Sequence, residues 1–324
     1  MVVRETATLM VALFLLREIM QKQIERAVAE VGTVLLGKDI QVRLALCCLF
    51  AKGHLLIEDL PGMGKTTLSH ALAKVLGLEY KRVQFTSDLL PADILGVSVF
   101  NRDTSQFDFI PGPVFTQVLL ADEINRTTPK SQSALLEAME EGQVTIEGKT
   151  RELPAPFFVI ATQNPSSQSG TYPLPESQLD RFLMRLSLGY PDRDAERKLL
   201  MGEDSRKTLS RLQQVISIQE LVAIQQAVED VHCSDMLLDY IQRLVEHSRN
   251  HNDFIFGLSP RGALAIVRCA KTWALMSGRG HVIPEDVQMI LPAVVEHRLS
   301  TSSNAQPGSH GMSHKLMEEV AVLS

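Results

Sequence analysis

The chain is poor in the residues that mark several common kinds of protein. It has 4 cysteines in 324 residues, Cys47, Cys48, Cys233 and Cys269, and none stands in C-x-x-C spacing. That argues against a disulfide scaffold or a cysteine zinc ribbon and leaves small core thiols in a reducing compartment. Tryptophan occurs once, at Trp273, where it is expected in the core, and aromatic residues make up 5% of the chain. No basic stretch is interleaved with aromatics and the net charge is −6. Nucleic acid is therefore not an expected partner, nor is an anionic membrane surface. HExxH is absent. His247 and His251 lie four apart, but spacing offers no third ligand, so they are expected as surface histidines.

A bilayer-spanning apolar stretch is also missing. Residues 7–16 resemble a signal-peptide core after Arg4, but no small-residue cleavage site follows. Leu16, Met20, Ile24, Ala27, Val28 and Val31 then fall on one helix face. The expectation is an amphipathic helix in a cytoplasmic protein with no stable membrane insertion. Met20 makes a natural start for that helix, so residues 1–19 read as an extension.

What is present is the composition of a globular protein, 45% apolar and 22% charged, long enough for two domains with cores. The chain is organised around residues 54–67, His-Leu-Leu-Ile-Glu-Asp-Leu-Pro-Gly-Met-Gly-Lys-Thr-Thr. A buried strand, a glycine loop and a helix start make a phosphate cradle there. Pro61, Gly62, Met63, Gly64, Lys65, Thr66 and Thr67 form the loop, whose backbone N–H groups and helix N-terminus favour phosphate. Lys65 is expected to reach the β- and γ-phosphates and Thr66 to hold Mg²⁺. The strict pattern has glycine where this chain has Asp59.

Downstream, Val118-Leu119-Leu120-Ala121-Asp122-Glu123 is an apolar run ending in two carboxylates. Such a run suits a buried parallel strand. Asp122 at its end can hold Mg²⁺ through water, and Glu123 can polarise an attacking water. Residues 157–162 predict another buried strand ending at Gln163-Asn164-Pro165. Asn164 is either a turn residue or an amide that orients water against the γ-phosphate. Together these motifs predict nucleotide hydrolysis.

Around them the chain alternates helix and strand. A helix to about Leu95 is expected after Thr86-Ser87-Asp88, with Pro91 awkwardly inside it, so that it either starts later or kinks there. Residues 96–114 predict a hairpin insertion, either a plain surface element or a partner contact. Residues 143–153 predict a second hairpin, 166–171 a polar loop, and 176–182 a short helix containing Asp180-Arg181. From Asp192 the pattern is helical, with a capping box at Ser217–Glu220 and helix starts at Ser259-Pro260 and Pro284. Residues 301–310 read as a linker before a C-terminal helix at 315–323.

The phosphate loop, residues 85–96 and 112–115, the run 120–141, Ala161-Thr162-Gln163-Asn164-Pro165 and Leu179-Asp180-Arg181-Phe182 resemble the MoxR family of AAA+ ATPases. The resemblance covers roughly residues 30–300. It implies an α/β fold, a five-stranded parallel sheet flanked by helices and followed by an all-helical lid. The divisions are an N-terminal helix at 1–29, a nucleotide-binding domain at 30–191, a lid at 192–300 and a tail at 301–324. Lys65 and Thr66 match Walker A, Asp122 and Glu123 Walker B, and Asn164 the first sensor. Arg181 matches the finger that reaches a neighbouring subunit's γ-phosphate, and Arg261 the second sensor on the lid. Relatives tolerate an acidic residue at the position of Asp59. The implied cofactors are ATP and Mg²⁺. The implied assembly is a ring, commonly a hexamer, that works with protein partners such as von Willebrand A domain proteins in chaperone-like maturation. Alternatives are an assembly switch with negligible hydrolysis and a DNA-stimulated ATPase. Glu123, Asn164 and Arg181 favour hydrolysis, and the acidic balance disfavours DNA.

Overall fold

The computed structural model describes residues 2–164, 170–201, 205–301 and 311–322. The polar loop expected at 166–171 and the linker at 301–310 fall mostly outside the described residues.

Two helices precede the first strand, α1 (Val2–Gly32) and α2 (Asp39–Phe50). α1 passes through Met20 unbroken, so Met20 is not the helix start expected from sequence. Met20, Ile24, Ala27, Val28 and Val31 are buried, as their spacing predicts, but Leu16 stays half exposed beside Leu15 and Ile19.

The α/β part follows: β1 (Leu55–Glu58), α3 (Lys65–Val75), β2 (Tyr80–Gln84), α4 (Pro91–Leu95), β3 (Gly96–Asn101), β4 (Gln106–Pro111), β5 (Val118–Asp122), α5 (Pro129–Glu141), β6 (Gln143–Ile146), β7 (Lys149–Glu152), β8 (Phe158–Gln163), α6 (Glu176–Leu179) and β9 (Met184–Leu186). α4 begins at Pro91 rather than near Asp88. Proline's fixed φ suits a first helical position and pushes the residue before it out of the helix, and Leu90 is extended at ψ 155°. α6 is shorter than expected and stops at Leu179, leaving Asp180 and Arg181 in the turn that follows.

The five strands lie in the order β2-β5-β8-β1-β9, and every neighbouring pair is parallel. Alternate side chains serve two different cores, as the period of a strand requires. Leu55, Ile57, Leu120 and Ile160 pack with α2 and α3 on one face. Leu56, Leu119, Ala121 and Val159 pack with Leu135, Leu136 and Met139 of α5 on the other. Coverage of both faces explains why these strands are apolar runs rather than alternating ones. β3 with β4 and β6 with β7 are separate antiparallel hairpins.

The C-terminal part is helical: α7 (Arg193–Leu200), α8 (Ser205–Arg211), α9 (Ile218–Glu229), α10 (Asp235–Asn250), β10 (Phe254–Phe256), α11 (Pro260–Met276), α12 (Pro284–Val295), β11 (Ser300–Thr301) and α13 (Met312–Glu319). Among the described residues, the lid departs from all-helical at the small antiparallel β10–β11 ribbon and at a parallel bridge between His232 and His281. Ser217, Ser234 and Ser259 each accept a backbone N–H at a helix start. Lid residues such as Leu221, Leu244, Ile266 and Val287 share a core with α1 and α2, which joins the lid to the N-terminal helices. Trp273 only borders that core and is half-buried, against expectation. α13 spans 312–319 rather than 315–323 and docks through buried Leu316. No helix among the described residues is long and apolar enough to cross a membrane.

Candidate active site

Three strand ends meet at one edge of the sheet. β8 lies between β1 and β5, with Glu58 opposite Gln163 and Ala121 opposite Ala161. The loop after β1, the carboxylates after β5 and the amide after β8 are thereby placed side by side at the carboxyl ends of parallel strands, the usual ligand position in such sheets.

The loop itself rests on two glycines in left-handed backbone, Gly62 at φ 86° and Gly64 at φ 90°. Successive N–H groups in such a turn face inward and form an anion nest. Lys65 opens α3 and is buried. Its ammonium donates to Asp59 O at 2.5 Å, Asn164 Oδ1 at 2.7 Å and Gln163 O at 3.3 Å. Burial draws its pKa below the ordinary lysine value, against the pull of Asp59, Asp122, Glu123 and Glu58. A half-desolvated cation whose direct partners are neutral oxygens is suited to an incoming anion.

Asn164 joins the two motifs. While its Oδ1 accepts from Lys65, its Nδ2 donates to Glu123 Oε1 at 2.8 Å. Glu123 Oε2 is held by Gln84 Nε2 at 2.8 Å and by Arg126 Nε at 3.0 Å. The backbone of Glu123 is left-handed, φ 58° and ψ 49°, a conformation that is costly for a residue with a side chain and concentrates at functional sites. Thr162 Oγ1 fixes it by accepting Glu123 N at 2.9 Å and donating to Asp122 Oδ1 at 2.6 Å. Arg82 holds the other oxygen of Asp122 at 2.7 Å.

A cleft of about 370 Å³ opens here, lined by Pro61, Gly62, Gly64, Lys65, Thr66, Thr67, Asp122, Glu123 and Asn164 and by Arg82 and Gln84. The nest, the buried ammonium, the Thr66 hydroxyl and the Asp122 carboxylate are the donor set a magnesium nucleotide requires. Met63 does not line it. Its side chain turns into the core, so the loop offers only its backbone at that position.

Asp59 does not face the phosphate loop's cleft. Its Oδ2 accepts Leu188 N and Gly189 N at 2.7 Å each and Ser187 Oγ at 3.1 Å, and its Oδ1 accepts Leu60 N at 2.8 Å. Burial pushes this carboxyl up, but those hydrogen bonds outweigh it and hold it below the usual carboxylate value. Asp59 thus ties the start of the loop to the segment after β9.

Two expected site residues stand elsewhere. Arg181 donates to Leu136 O at 2.7 Å and pairs with Glu140 Oε2 at 3.1 Å. Arg261, expected to reach the nucleotide from the lid, pairs instead with Glu140 Oε1. Both line a second cleft of about 630 Å³ between α5 and the lid, with Lys52, Arg268 and Lys271 in its wall. Asp180 is fastened to the lid by Arg298 Nε at 2.8 Å and Ser259 Oγ at 3.0 Å. Lid and sheet meet so that Arg261 lies beside Arg181 on Glu140 rather than among the residues lining the phosphate-loop cleft.

Sequence reasoning missed Arg82, Gln84, Arg126, Thr162 and Glu140. Arg82 and Gln84 are two apart on β2 and so share a face. That face gains meaning only from the pairing of Gln84 with Asp122 across β2 and β5.

Comparison with known proteins identifies what the chain is similar to. Residues 54–184 match the ATPase family associated with various cellular activities (AAA), and residues 246–320 match the AAA lid domain. The chain is 41% identical to the chaperone MoxR1 of Mycobacterium tuberculosis, over 87% of this chain and 77% of that protein. It is 46% identical to the YeaC protein of Bacillus subtilis, over 87% and 88%. A crystal structure assigned as an ATPase from Cytophaga hutchinsonii superposes with a TM-score of 0.84 at 34% identity, covering 94% of this chain and 96% of that one.

Proposed function

This chain belongs to the MoxR family of AAA ATPases, and from that premise we propose that it hydrolyses Mg²⁺-bound ATP within a ring of its own copies to remodel protein partners. The single observation that carries the chemistry is Asn164, which bridges Lys65 of the phosphate loop and Glu123 of the adjacent strand end.

The loop 61–67 would hold the phosphates, with Lys65 on the β- and γ-oxygens and Thr66 and Asp122 at Mg²⁺. The bound ion would draw negative charge off the transferring phosphoryl group. Glu123 is the base that polarises the attacking water, and Asn164 orients water and base together. In the resting arrangement Asn164, Gln84 and Arg126 occupy both oxygens of Glu123. Among the described residues, Oε1 takes only the Asn164 bond and keeps a free lone pair for the attacking water.

The ring is supported by the second cleft. Arg181 and Arg261 form one cationic surface there that is separate from the loop of the same chain. A neighbour's phosphates would compete with Glu140 for these two guanidiniums, and a subunit alone would hydrolyse slowly. The remodelling role is supported by likeness to a protein named a chaperone. It is also supported by the β3–β4 hairpin, whose Val97, Val99, Phe100, Phe107 and Ile110 are all about half exposed or more. A protruding apolar ribbon suits contact with a protein partner, including one with a von Willebrand A domain.

The test is Glu123→Gln. ATP affinity is expected to stay and turnover to fall by about 100-fold or more, with the nucleotide-bound ring trapped for partner capture. Unchanged turnover would falsify the role of Glu123.

A further inference from the structure

Away from the nucleotide cleft, α13 is held to α10 by two imidazoles and a carboxylate. His247 in the last turn of α10 and His251, the residue that caps its C-terminus, have ring centroids separated by 5.0 Å. From α13, Glu319 Oε2 lies 2.7 Å from His247 Nε2 and 3.8 Å from His251 Nε2. One donor atom from each of the three falls within 4.8 Å of the others. We propose that His247, His251 and Glu319 form a binding site for a zinc-class transition-metal ion that clamps the C-terminal helix to the lid.

The donor chemistry selects the ion. Two imidazole nitrogens and one carboxylate oxygen make the three-ligand set of a zinc site with an open fourth position, whereas Mg²⁺ and Ca²⁺ take oxygen shells. Donors bound at about 2.0–2.2 Å to a tetrahedral ion lie about 3.3 Å apart. The carboxylate is already near that distance from both rings, and side-chain rotation closes the rest. The three side chains are 27%, 31% and 35% exposed, so an ion can enter from solvent and water can fill the fourth position.

The surroundings fit the same use. Lys315 Nζ lies 3.8 Å from Glu319 Oε1 and leaves Oε2 to the site. His251 Nδ1 accepts Asp253 N at 3.3 Å, and Asp253 Oδ2 lies 3.9 Å from the same nitrogen. An ion on Nε2 puts the ring proton on Nδ1, so the bond that Asp253 N–H donates to that nitrogen must give way. Asp253 Oδ2, 3.9 Å off, would have to turn in to accept the proton, as outer-shell carboxylates do for metal-bound histidines. What the ion adds is mechanical. α13 already rests on buried Leu316 and Val320, on Glu296, which accepts Ser313 N and Oγ, on the Lys315–Asp253 ion pair, and on Arg243, which donates to the carbonyls of Ala321 and Val322. A metal bond from the two histidines to Glu319 would tighten that attachment.

The test uses the full-length, tag-free chain, stripped with chelator and free of nucleotide. Titration with Zn²⁺ should give one bound equivalent, and Co²⁺ should give the visible absorption of a tetrahedral nitrogen–oxygen site. His247→Ala, His251→Ala and Glu319→Gln should each weaken binding by about tenfold or more, while His281→Ala should not. Zn²⁺ should slow backbone hydrogen exchange across residues 312–319 in the parent chain but not in Glu319→Gln. The metal-free variants should keep the parent's ATPase activity, which shows that they fold. No binding, or equal binding by the three variants and the parent, overturns the site. Binding without slowed exchange in α13 overturns the clamp.

Discussion

Arg181 and Arg261 meet on one carboxylate, that of Glu140 on α5. The sheet supplies one arginine and the lid the other. Glu140 holds the two guanidiniums together and neutralises part of the charge that a neighbour's phosphate would neutralise in the proposed ring.

Subunits carrying Arg181→Ala or Arg261→Ala should bind ATP as the parent does and turn it over about a thousandfold more slowly. Each should regain activity when mixed with Lys65→Ala subunits, which lack a working loop but supply both arginines. ATPase assays across a mixing series check this. An Arg261→Ala variant that mixing fails to rescue would place that arginine at its own chain's nucleotide.

Asn164→Ala should leave ATP affinity nearly intact and lower kcat by about 100-fold. The lost bridge frees Glu123 and Lys65 from each other without removing either. Comparing kcat with KM separates loss of orientation from loss of binding.

Asp59→Gly would restore the strict Walker glycine and should nevertheless cost stability. Three donors on Ser187, Leu188 and Gly189 would lose their carboxylate, a loss of about 3 kcal/mol, read by urea denaturation. Because the carboxyl is held below its ordinary value of 3.8, its contribution is full above that pH and fades as pH falls through the lower folded value. The variant should therefore show weaker acid sensitivity than the parent.

His54 sets a second pH dependence. Its Nδ1 accepts Val159 N at 2.9 Å and its Nε2 donates to Met139 O at 3.0 Å, which fixes a neutral ring. Burial lowers its pKa from 6.5 to about 4. The unfolded chain takes up the proton first, so stability falls as pH drops from about 7 to about 4, by about 3 kcal/mol from this residue. His297 is buried and shifted the same way, through burial and the adjacent Arg298, and adds to the slope. Denaturation midpoints across that range for the parent and His54→Gln separate the two.

The sheet and the nucleotide loop were legible in the sequence because each rests on a local pattern. Apolar runs mark strands buried on both faces, and Gly62, Gly64, Lys65 and Thr66 stand within one turn. Asn164 was legible through its place at a strand end. Arg82 and Gln84 were not, since polar residues on an edge strand are ordinary until β5 is known to lie beside them. Glu140 was one carboxylate among several on α5, and only the packing of the lid brings two arginines to it. The pairing of Arg261 with Glu140 was not legible for the same reason: a helix start can be recognised in sequence, but which carboxylate its first residues meet cannot. Glu319 lies beyond a linker from the histidines it meets, where spacing carries no information.

Asp180 and Arg181 are consecutive residues, yet Arg298 and Ser259 pull one toward the lid while Leu136 and Glu140 hold the other to α5. A single peptide unit therefore works as a strain gauge between two bodies. In the proposed ring, whatever tilts the lid over one nucleotide would change the tension on the arginine offered to the next, and news of occupancy would pass between subunits without a dedicated messenger.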